Sequence, residues 1–194
     1  MIQLQELLLN PLKIMQLASA KMDKRIAIRA ADEALQNVGV TETEKDNHGA
    51  PIKIYLETVG LPEGYAWCAA FLKYRFLNAA EDLKLDISDG IKNLSGYTPD
   101  WAAYAKKHDI WISLEEAKQN PDFIKKGYVA LFYSQSKDRV YHCGIVISCK
   151  KTGPLLVEGN TSGGPGVDAN GGGIYLKTRS WTNLGKFGGF MKTY

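Results

Sequence analysis

The spacing of apolar residues changes halfway along this chain, and that change restricts the fold more than any single motif does. In the first half Ile28, Ala31, Leu35 and Val38 recur at helical intervals with Gly39 as a stop, and Ile52, Tyr55, Leu56 and Val59 repeat the pattern between Pro51 and Gly60. A third amphipathic run continues from Cys68 through Phe71, Tyr74 and Leu77. Thr98-Pro99-Asp100-Trp101 reads as another helix start, with Thr98 as cap and Pro99 in the first turn, and that helix is expected to end by Asp109. From residue 128 onward the period shortens. Residues 128–133, 140–148, 154–160, 174–178 and 187–193 are short runs rich in branched and aromatic side chains, separated by Gly, Pro, Asn or Lys clusters. Helices followed by strands predict an α+β domain with a largely antiparallel sheet of five to six strands.

A chain of 194 residues, 45% hydrophobic and 23% charged, can bury one sizeable core, so a single domain is expected over 25–194 behind an N-terminal helical extension, 1–24. The net charge of +3 is scattered and gives no nucleic-acid patch, although it does not oppose approach to an anionic polymer. Met1-Ile2-Gln3-Leu4-Gln5-Glu6-Leu7-Leu8-Leu9 is rich in apolar residues, but it lacks a cationic start and its apolar run is broken by Asn10, Pro11 and Lys13. A signal peptide and a membrane span are therefore not expected, and synthesis in the cytoplasm is. Three histidines without ligand spacing argue against a metal centre. The loop of residues 41–49 lacks the alternation of a calcium site, and the glycines of 163–166 and 171–173 are not followed by the Lys-Ser/Thr of a phosphate cradle. No cofactor is expected.

The three cysteines form no evident disulfide framework. Cys143 and Cys149 flank one expected strand, which would hold them ~20 Å apart. Cys68 differs, because it follows a Gly64-Tyr65 turn and opens an apolar helix. Unpaired N–H groups and a partial positive charge at a helix start favour thiolate over thiol. Unpaired cysteine is also among the most buried residue types, so the position alone does not define a nucleophile. His142, Glu158 and Asn160 supply the rest of a candidate constellation. His142 and Gly144 share one face of their strand, as do Glu158 and Asn160 of theirs. A five-residue hairpin loop over 149–153 places His142 opposite Asn160 and Gly144 opposite Glu158, with Glu158 diagonal to the imidazole. A slip of one residue separates the two groups onto opposite faces. In this arrangement His142 exchanges a proton with Cys68, Glu158 or Asn160 orients the ring, and the Cys68 N–H donates to an oxyanion. Each of these polar residues also has a purely structural reading, as a core histidine satisfied by a carbonyl or as a polar residue near a loop.

Ala66-Trp67-Cys68-Ala69-Ala70-Phe71, His142-Cys143-Gly144-Ile145-Val146 and Val157-Glu158-Gly159-Asn160-Thr161-Ser162 together resemble the CHAP domains, cysteine- and histidine-dependent amidohydrolases and peptidases within the papain-like and NlpC-type hydrolases. Asn47-His48-Gly49 resembles the usual lead-in and Gly188-Gly189-Phe190 the closing strand. The resemblance implies a papain-like fold and a monomeric peptidoglycan hydrolase with Cys68 as nucleophile, an endopeptidase or an N-acetylmuramoyl-L-alanine amidase. Such an enzyme acts at the cell wall after release, virion delivery or non-classical export. Other readings are a non-catalytic module binding peptidoglycan or a protein, and a cysteine hydrolase for a non-wall substrate. Cys143, where a branched apolar residue is commoner, and Trp67, where some members carry a polar one, depart from the pattern.

Overall fold

The computed structural model describes residues 20–43, 46–164, 166–167 and 171–194, so the apolar opening segment and most of the expected extension lie outside the described residues. The helices are α1 (Lys24–Gln36), α2 (Ala50–Glu57), α3 (Cys68–Leu83), α4 (Asp89–Lys92), α5 (Thr98–Lys107) and α6 (Leu114–Gln119). The strands are β1 (Trp111–Ser113), β2 (Val129–Ser134), β3 (Arg139–Lys150), β4 (Gly153–Thr161), β5 (Gly173–Thr178) and β6 (Gly189–Met191). They form one sheet in the order β1-β6-β2-β3-β4-β5, with every neighbouring pair antiparallel. The class is therefore α+β. Each expected strand is present with ends within two residues of expectation. The short β1 was not foreseen, because three residues cannot display an alternation. No described helix is long and apolar enough to cross a membrane.

Alternation along the strands gives the sheet two different faces. Val129 and Leu131 of β2, Cys143 and Ile145 of β3 and Val157 of β4 join the core beneath the helices, with Ile52, Leu56, Phe71, Phe76 and Trp101. Ala130, Phe132, Val146, Leu156 and Phe190 point the other way and pack with Leu114 and Ala117 of α6. Ala20 and Met22 are buried in the first core, and the Met22 N–H donates to Thr193 O at 2.7 Å. From residue 20 onward, the expected extension is thus part of the same packed body.

Two sequence readings need correction. The buried stripe of α1 is Ile26, Ala27, Ala30, Ala31 and Ala34, whereas Val38 lies beyond the helix end and is 40% exposed. Alanines let α1 lie close against α3, and the larger Ile28 and Leu35 serve only as flanks. Thr98 is the first residue of α5 rather than its cap. Its hydroxyl donates to Val140 O at 3.1 Å and fastens the start of α5 to β3, two residues before His142.

Candidate active site

The turn before α3 is fixed at several points. Gly64, at φ +97°, donates its N–H to Asn47 O at 2.9 Å. Trp67 stands at the N-cap of α3 and its carbonyl accepts from the Phe71 N–H at 2.8 Å. Its own N–H donates to Asn160 Oδ1 at 3.0 Å, and its indole Nε1 donates to Glu42 Oε1 at 2.8 Å. The indole is fully buried, with Tyr55 and Phe71 as aromatic neighbours. These contacts place Cys68 at the first helical position, where backbone N–H groups lack intrahelical acceptors.

Trp67 and Phe71 come so close to β4 that only glycine fits there. A Cβ on Gly159 would stand 2.7 Å from Trp67 Cζ3 and 2.9 Å from Phe71 Cδ1, inside van der Waals contact. Gly159→Ala should therefore cost about 1–3 kcal/mol of stability as the indole is displaced, read as a lower urea midpoint with an unchanged slope.

The sheet ladder receives this helix end where it stops pairing. β3 and β4 are paired from Lys150 and Gly153 as far as Ile145 and Val157; beyond that, β3 stays with β2 and β4 with β5. The start of α3 touches both flanks, Trp67 against Gly159 and Asn160, and Cys68 against His142 and Cys143. The expected five-residue loop is instead a two-residue turn, Lys151-Thr152, between longer strands. A register shift between Val146 and Ser148 compensates, so the pairs nearest the site, Ile145 with Val157 and Val146 with Leu156, are the expected ones. Glu158 Cγ lies over Gly144, where a Cβ would stand 2.7 Å away.

His142 and Glu158 meet as expected: Nε2 and Oε2 are 2.9 Å apart, and both side chains are fully buried. Asn160 does not take part in this contact. It adopts φ 56°, a left-handed conformation asparagine tolerates, and spends its amide on Trp67 N, on Asn47 Oδ1 at 2.9 Å and on Gly171 O at 3.3 Å. Asn160 is not paired with His142 because the β3–β4 ladder ends at Ile145 and Val157, and Asn160 sits in the irregularity of β4 against β5 between Glu158 and Thr161. Asn160 positions the turn that carries the thiol, and Glu158 holds the imidazole.

Sequence reasoning missed Arg179. Its Nε donates to Glu158 Oε1 at 2.7 Å and its Nη2 to Glu158 Oε2 at 2.6 Å, a bidentate pair with both side chains buried. Nη1 donates to Gly166 O at 2.7 Å. The residue follows β5 within Lys177-Thr178-Arg179, where an arginine looks like an ordinary solvated charge. The Arg179 N–H to Pro154 O bond carries the β5 pairing past its last residue and sets Arg179 beside β4.

These contacts set the charges. Burial opposes the carboxylate of Glu158, but hydrogen bonds from Arg179 and His142 outweigh it and hold the group below its ordinary range. Burial likewise opposes the imidazolium, yet hydrogen bonds and charge from Cys68 and Glu158 lift His142 to about 9. The Cys68 thiol is lowered well below its ordinary value, first by a hydrogen bond from Cys143, then by His142 and the Ala69 N–H, against the cost of burial. With Nε2 committed to Glu158, Nδ1 is the ring nitrogen left for the sulfur; it is buried and has no hydrogen-bond partner among the described residues. Burial and the neighbouring Cys68 push Cys143 well up, and burial takes Cys149 to about 11. Iodoacetamide at mildly acidic pH should therefore alkylate Cys68 first, as read by peptide mass spectrometry; equal labelling of all three thiols would contradict the pairing of Cys68 with His142.

Cys68 is only 3% exposed, but it lies in the floor of a groove of about 350 Å³ whose walls include Tyr65, Tyr97, Lys137, Arg139 and Tyr141. A thiol shifted toward thiolate, a histidine shifted toward imidazolium and a carboxylate held below its ordinary range, gathered at a groove, are the groups that nucleophilic acyl transfer requires. Comparison of the chain with protein-family models, with curated proteins and with solved structures returns no match.

Proposed function

We propose that the protein is a cysteine-dependent amide hydrolase of the papain-like, CHAP type, acting on the peptide part of peptidoglycan. The observation that carries this reading is the buried line Cys68–His142–Glu158, in which a helix-start thiol stands beside an imidazole whose far nitrogen is held 2.9 Å from a carboxylate. In the reaction, Cys68 Sγ attacks the amide carbon, and the developing oxyanion faces the Cys68 N–H at the helix start. Collapse breaks the C–N bond as Nδ1–H of His142 protonates the leaving amine. His142, now neutral, takes a proton from water, whose attack on the thioester releases the acid and restores the thiolate–imidazolium pair. Glu158, fixed by Arg179, keeps the ring oriented throughout.

The choice of wall peptide as substrate rests on the CHAP resemblance of the three motifs. Purified sacculi from several bacteria provide the test. The expected result is release of soluble fragments whose masses show one hydrolysed amide, which also identifies the bond. Binding to sacculi without any fragment release would favour a non-catalytic module, and hydrolysis of other amides with intact sacculi would favour a non-wall substrate.

A further inference from the structure

The groove above Cys68 is one-sided in charge. Lys137 and Arg139 line it, acidic side chains do not, and neither cation has a carboxylate partner among the described residues. The nearest acid in sequence, Asp138, is turned to the Tyr133 hydroxyl at 2.5 Å. Both cations are braced on aromatic faces, with Arg139 Cζ 5.3 Å from the Tyr97 ring centre and Lys137 Nζ 5.1 Å from that of Tyr141. Tyr97 is 51% exposed and, with Tyr65 at 55%, leaves apolar surface at the rim of the same groove. All of these side chains except the tyrosines of the facing loops come from the β2–β3 connection and the start of β3, the strand that bears His142. Two positive groups prepositioned on rings and left without counter-charge form a site for an anion, the bidentate arginine fork being suited to a carboxylate.

We infer that Lys137 and Arg139 are specificity-determining residues that bind a free carboxylate of the substrate beside the amide to be cleaved, so that acidic peptides are taken and their carboxamide counterparts are disfavoured. The inference rests on the reading of Cys68 as a nucleophile. The site is partly exposed, so its attraction is moderate and sensitive to salt.

Alkylation of Cys68 tests the groove separately from amide hydrolysis. Iodoacetate and iodoacetamide react identically, the thiolate displacing iodide to form a C–S bond, and differ only in the negative charge of the first. The ratio of their rates at Cys68, measured by mass spectrometry, should fall roughly three- to tenfold in Lys137→Gln/Arg139→Gln relative to the wild type. In the wild type the ratio should fall toward that of the variant as salt is raised, whereas Arg139→Lys should retain most of the preference. An unchanged ratio in the double variant overturns the proposal, because His142 alone would then account for any attraction of iodoacetate. Alkylation of Cys68 no faster than Cys149 by either reagent removes the nucleophile reading and the groove proposal with it. A second measurement compares hydrolysis of paired peptides bearing a carboxylate or a carboxamide beside the scissile bond. Preference for the acid that disappears in the double variant supports the assignment, and equal cleavage of both by the wild type overturns it. Loss of the alkylation ratio in the variant without cleavage of either peptide keeps the anion site while rejecting the hydrolase.

Discussion

Cys68→Ala should abolish fragment release from sacculi, lowering the rate by about 10⁴-fold or more, since removal of a nucleophile leaves only the contribution of binding and oxyanion contacts. Folding should be nearly unaffected. The side chain is small, and its removal leaves His142 attached to Glu158 and Trp67 attached to Asn160. Equal melting temperatures together with lost activity would assign the sulfur to chemistry; an active Cys68→Ala would remove it from the mechanism altogether. Binding of the variant to sacculi should persist, because the groove residues are intact.

The second large effect concerns stability. Arg179→Ala should cost about 3–5 kcal/mol, because Glu158 would remain in the interior with its charge supported by His142 alone. Glu158→Gln strips the guanidinium of its counter-charge and should cost a similar amount, with activity lost through misorientation of His142. Glu158→Leu/Arg179→Met, which removes both charges, should recover most of the stability and none of the activity. Urea titration of the wild type, Glu158→Leu, Arg179→Met and their combination forms a double-mutant cycle. Additive losses in that cycle would mean that the bidentate pair contributes no coupling, contrary to its geometry.

The sequence makes the architecture legible because a change of period needs no knowledge of tertiary contacts. The helices over Ile52–Leu56 and from Cys68 onward, and all five expected strands, follow from spacing and turn residues. The buried face of α1 differs from the spacing reading for a physical reason: close approach of two helices admits alanines at most of the contact beside Ile26, while Val38 lies past the helix end. At the site, His142 and Glu158 follow from alternation and pairing and Cys68 from its place at a helix start, although a tight turn and a register shift together produce the pairing expected of a longer loop. Asn160 is legible as a site residue but its task at the Trp67 turn is not, and Arg179 is not legible at all. The former depends on a left-handed residue within a strand, and the latter on a long side chain reaching back along β4 from beyond the end of β5.

Glu158, Gly159 and Asn160 each do a different task in consecutive positions: one steadies the imidazole, one makes room for the indole, one anchors the turn. Deleting or inserting a single amino acid in that triplet would misassign all three at once. Transplanting this machinery onto another scaffold therefore calls for moving the triplet as an unbroken unit, together with the tryptophan it receives.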